Sequence, residues 1–87
     1  MANMKRKNMN GNIKWAVVCI DHYECTVLNV DLFEDYDSAR KYMDKDMQDT
    51  YDEMENATDI AHFGQSVTIY VGDEPEYTWS IRGTNTH

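Results

Sequence analysis

The tightest grouping of chemically capable side chains in this sequence is Cys19, His22 and Cys25. Their C-x2-H-x2-C spacing gathers three residues of zinc-ligand type around one turn. A fourth ligand would have to come from His62, Asp21 or a water. No common zinc signature has this spacing, and two strand ends with a turn between them explain the set, so no metal is expected. A disulfide between Cys19 and Cys25 needs the two directly opposed, which strand pairing permits and a reducing compartment disfavours. Nucleophilic catalysis finds no machinery. Ser38, Ser66 and Ser80 lack a glycine-flanked elbow, and four scattered glycines make no phosphate loop. Acid pairs abound, but on a solvated helix face a carboxylate pair is ordinarily only charge. No catalytic residue and no cofactor is expected.

The carboxylates instead form a map. Between residues 31 and 59 stand Asp31, Glu34, Asp35, Asp37, Asp44, Asp46, Asp49, Asp52, Glu53, Glu55 and Asp59. Only Arg40, Lys41 and Lys45 oppose them, and acids and bases balance elsewhere, so this segment carries the whole net charge of −8.

A helix must position these groups. Tyr36, Ala39, Met43, Met47, Thr50 and Met54 recur at steps of three and four, with Tyr42 and Tyr51 widening the stripe. The spacing predicts an amphipathic helix from Asp35 or Asp37 as N-cap to the neighbourhood of Asn56. Its other side is charged and mostly negative. Acids in the first turn suit the positive end of the helix dipole. Asp49, Asp52, Glu53 and Glu55 crowd the opposite end, where cations are preferred, and Asp49 faces Asp52 and Glu53 at like-charge spacings. The combined cost is roughly 1–2 kcal/mol at low salt. Solubility explains it blandly; a surface shaped for a basic partner explains it more sharply.

The flanking segments read as strands. Lys14–Ile20 and Cys25–Leu32 make a hairpin across Asp21–Glu24. An even-sum register puts Ala16, Val18, Ile20, Leu28, Val30 and Leu32 on one face. That cleaner apolar set is expected to receive the helix. Trp15, Val17, Cys19 and Val27, with Tyr70, would then lie on the open face. Residues 57–65 read as a connection in which Ile60 and Phe63 plug the core, or else form an exposed binding loop. Ser66–Val71 and Glu76–Arg82 alternate well, separated by the turn Gly72–Pro75. The expected fold is α+β, in the order β-β-α-β-β, with a four-stranded antiparallel sheet and one helix on one face.

Eighty-seven residues suit a single domain, read as residues 13–83, with a disordered basic tail at 1–12 and a frayed C-terminus at 84–87. The tail's Lys5, Arg6 and Lys7 precede no apolar stretch, so no signal peptide is expected, and two cysteines suit a cytoplasmic location. The acidic balance disfavours direct nucleic-acid binding and an anionic membrane surface.

The strand-to-helix junction Leu32–Met43 and the strand Glu76–Ile81, in an acidic chain of this length, resemble small acidic proteins of phages and mobile elements. Anti-CRISPR and other anti-defence inhibitors are found among these. The resemblance covers the general plan of residues 14 to 82 and brings no site residues with it. It implies stoichiometric binding: a non-enzymatic inhibitor that covers a basic nucleic-acid channel, some of its kind imitating the phosphate backbone. On that reading Asp44, Asp49, Asp52, Glu53 and Glu55 dock on a basic site of a host defence protein. The competing expectation is a structural or assembly module that homodimerises through Trp15, Val17, Val27 and Tyr70, its acids serving solubility.

Overall fold

Residues 14–83 are described by a computed structural model; the expected tail at 1–12 and frayed end at 84–87 lie outside them. Strands β1 (Trp15–Asp21) and β2 (Thr26–Phe33) are rich in β-branched and aromatic residues and pair as a hairpin. Asp21 turns the chain by accepting the N–H groups of Tyr23 and Glu24 at 2.9 and 3.1 Å. Cys25 closes that turn at φ +61°, a left-handed conformation uncommon outside glycine. Helix α1 (Tyr36–Glu53) follows. Then come β3 (Asp59–Phe63), β4 (Ser66–Val71) and β5 (Glu74–Gly83).

The fold is α+β, with one helix and a five-stranded antiparallel sheet among the described residues, the strands in the order β2-β1-β5-β4-β3. The expected four-stranded β-β-α-β-β plan is corrected to β-β-α-β-β-β. The additional strand is β3, read from sequence as a connection. Its Asp-Ile-Ala-His-Phe lacks the alternation that marks a strand, and it forms by pairing with β4. Gly64 and Gly72 open the two tight turns on either side of β4, at φ +57° and +65°. Positive φ at the first turn residue alone is what a type II′ hairpin turn asks for.

The helix begins where the capping signal placed it. Asp35 Oδ1 accepts the Ser38 N–H at 2.7 Å, which holds the Asp35 carboxyl below the usual carboxylate range. It ends at Glu53, short of Asn56, where the extended Met54 turns its N–H back to the Thr50 and Tyr51 carbonyls.

The helix lies on the face opposite to the expected one. Pairing of β1 with β5 sets Val17 opposite Ile81 and Cys19 opposite Trp79, and β4 sets Val67 opposite Trp79. Those five side chains, with Ile69, form the sheet side of the core, and Ala39, Met43 and Met47 form the helix side. Trp15 and Val17, expected on the open face, are therefore under the helix; Val17 is fully buried, and Trp15 packs edge-on against Tyr36 at 5.2 Å. Leu28 also breaks the expected register. The β1–β2 pairing shifts after Cys19↔Asn29 to Ile20↔Val27, so Leu28 is the extra residue of a bulge. Val27 and Tyr70 do stand on the open side. Ile60 packs against the core edge while Phe63 is largely exposed, so only Ile60 acts as a plug.

Met43 sits at the centre of the helix–sheet contact with no exposed surface. Met43→Ala should cost about 2–5 kcal/mol, because the other eight buried side chains of the cluster surround a cavity they can only partly fill. Urea denaturation monitored by circular dichroism measures this, and a loss below about 1 kcal/mol would contradict the packing described.

Candidate functional site

The amphipathic pattern that buries Ala39, Met43 and Met47 turns the remaining positions of α1 toward solvent, and the acids go with them. Asp46 is the exception. It lies at the helix–sheet boundary and accepts the indole N–H of Trp79 at 2.9 Å, so it secures the core. Asp31 is likewise engaged, accepting the Tyr42 hydroxyl at 2.8 Å; that bond, then burial and the nearby carboxylates, pushes the phenol up to about 12.

Of the five acids expected to meet a partner, two are matched within the helix. Arg40 Nε approaches Asp44 Oδ2 at 3.3 Å, and Lys45 Nζ approaches Asp49 Oδ2 at 3.0 Å. Both pairs run base-to-acid along the chain, the weaker orientation, and exposed pairs of this type contribute about 0.3–0.5 kcal/mol. Among the described residues Asp52 accepts only the Gln48 amide, at 3.0 Å. Glu53 and Glu55 are exposed and have no cation within ion-pair distance among the described residues. The last turn of the helix carries no basic residue. Three carboxylates without a cation partner among the described residues thus gather at the negative pole of α1, with the partly neutralised Asp49 and Asp44 nearer its N-terminus.

The cysteine–histidine grouping does not converge. Cys19 is buried beneath α1, whereas the His22 ring lies on the other side of the sheet within 2.7 Å of the Thr78 hydroxyl. Cys25 is exposed, and both cysteines are free thiols. Burial, followed by repulsion from Asp46 and Asp21, pushes the Cys19 thiol up to about 12, so it is protonated at neutral pH and a poor nucleophile. A pocket of about 230 Å³ opens beside it, lined by Leu28, Asn29, Thr50 and Tyr77 as well as Cys19, Asp46 and Trp79. Its one carboxylate is already hydrogen-bonded to the indole. A shallower depression of about 430 Å³ at the β3–β4 edge holds Tyr70 between Asp59 and Asp73. The first pocket thus holds a protonated thiol beside an engaged carboxylate, and the second holds no Cys, Ser, Thr, Lys or His.

The open sheet face carries Val30 and Leu32, which sequence reasoning placed beneath the helix, beside Val27, which it placed here. Val27, Val30 and Leu32 are each more than half exposed on β2, next to half-buried Val18 and Ile20 on β1. The signal that could have located them is the parity of β5, where Tyr77, Trp79 and Ile81 alternate with Thr78 and Ser80. The chain matches no protein-family model, no curated protein and no solved structure.

Two outcomes test this geometry. In the native protein at pH 8 a thiol reagent should modify Cys25 quickly and Cys19 only after denaturation, as read by mass spectrometry of digested protein. Asp46→Ala should cost about 1–3 kcal/mol by leaving the Trp79 N–H without its acceptor, while Asp46→Asn, which keeps an acceptor oxygen, should recover most of the loss in the same melt.

Proposed function

We propose that this chain is a non-enzymatic binding protein that inhibits a nucleic-acid-binding protein by laying the acidic face of α1 on its basic site. The partner class follows from the resemblance to phage-type inhibitors of CRISPR-like defence complexes. The observation that carries the reading is the negative pole of α1, where Asp52, Glu53 and Glu55 have no cation partner among the described residues and the last turn has no base.

Charges held against the helix dipole are a standing cost that a cationic partner would reverse. Eighteen residues of α1 extend roughly 27 Å, enough to follow a groove that otherwise holds a run of phosphates. Its carboxylates would take over the charge-assisted hydrogen bonds that lysine and arginine make to phosphate. Asp49, Asp52, Glu53 and Glu55 form the centre of the contact on this reading, and Asp44, already paired with Arg40, its rim. Association steered by such a field is fast and sensitive to salt.

The immobilised full chain, exposed to bacterial lysate at low salt, should capture a nucleic-acid-binding protein that elutes as salt is stepped toward about 0.5 M. The triple variant Asp49→Lys, Asp52→Lys, Glu53→Lys should capture at least about tenfold less of it. Capture indifferent to both salt and charge reversal would end this reading.

A further inference from the structure

We propose that the open face of the sheet is a homodimer interface, in which two copies pack β1 and β2 face to face and leave their acidic helices outermost. The surface is apolar where it is most exposed. Ala16 pairs with Leu32 and Val18 with Val30 across β1 and β2, and Ile20 pairs with Val27 beyond the bulge. These six residues make one contiguous patch, with Val27, Val30 and Leu32 more than half accessible. Side chains of a strand stand perpendicular to the sheet, so only something lying on this face covers them. Pairing through the free outer edge of β2 would leave them in water.

Hydroxyls on the neighbouring strands of this face pair with one another. Ser66 and Ser80 hydroxyls lie 2.9 Å apart, and those of Thr68 and Thr78 lie 2.7 Å apart, with the His22 ring on Thr78. Each pair shares one hydrogen bond between two hydroxyls, which lowers the cost of covering them.

Charge selects a second copy over a basic protein. The six-residue patch has no carboxylate to offer a cation, since the acidic side of α1 lies on the opposite side of the sheet. Two copies joined here would hold their helices roughly 30 Å apart, across layers spaced about 10 Å. That is several Debye lengths at physiological salt, about 8 Å each, so a net charge of −8 per chain does not prevent association. The whole five-stranded face, with strands about 4.8 Å apart and some 20 Å long, covers about 500 Å² in plan, below the ~800 Å² per partner of a standard interface and in the range of a weak dimer. The apolar patch is its own complement under a two-fold axis, with exposed Arg82, opposite Ala16, at its border.

Sedimentation of the full chain from about 1 to 200 µM should show a dimer whose affinity holds or rises as salt is raised, the opposite of the acidic-face complex. Val30→Lys and Val18→Lys should each weaken it at least about tenfold with the circular-dichroism spectrum unchanged. Where Val18→Lys loses that spectrum, Val18→Thr, equal in size and suited to strands, serves instead and should also weaken the dimer. Asp52→Lys with Glu53→Lys, on the far side, should leave the dimer intact. A monomer throughout the range overturns the proposal, as does a dimer untouched by Val30→Lys. A dimer lost with Val30→Lys but kept in the β1 variant indicates pairing through the edge of β2, and also overturns it.

Discussion

Trp79 is where the two layers of this protein are joined. It stands on β5, the central strand, and is almost entirely buried in the same cluster as Met43 and Met47. Its indole N–H would be stranded there without an acceptor, and Asp46, one turn from Met43, provides it at 2.9 Å. That bond fixes the rotation of the helix about its axis. With Asp46 held at the boundary, Asp49, Asp52 and Glu53 turn toward solvent. The position of the acids is thus a consequence of how the core is closed.

The two sides of the sheet differ in kind. Under α1, aromatic and aliphatic side chains close the core, with Trp15 against Tyr36 and Phe33 against Tyr42 sealing its rim. Across the sheet, hydroxyl pairs occupy the middle and an uncovered apolar patch occupies β1 and β2. A small domain has little core to spare, so exposing Val27, Val30 and Leu32 together is a visible concession. The acidic pole and the apolar patch face opposite directions, so one molecule can hold different company on each without conflict.

The helix and its cap were legible in the sequence because both signals are local. The steps from Ala39 to Met43 to Met47 and the Asp35–Ser38 pair lie within a few residues of one another. The β1–β2 hairpin was legible for the same reason, and its even register holds from Trp15 to Cys19. The bulge at Leu28 was not, since one inserted residue leaves the apolar composition unchanged. β3 was missed because Asp59–Phe63 has no strand pattern of its own and is held by its partner β4. The acidic stripe was read without Asp46, but the bond that holds Asp46 at the core became visible only once Trp79 was placed opposite.

Composition and periodicity by themselves determined an amphipathic helix, a set of alternating strands and the segment that carries all the net charge, for these depend on residues near in sequence. Which face of the sheet receives the helix was decided only in three dimensions. The hairpin alone favours the Val18–Leu32 side, but β5 and β4 bring Trp79, Ile81, Val67 and Ile69 to the other, and the larger apolar area is the one that is buried. A choice of that kind is a sum over strands far apart in the chain, and no single stretch contains it.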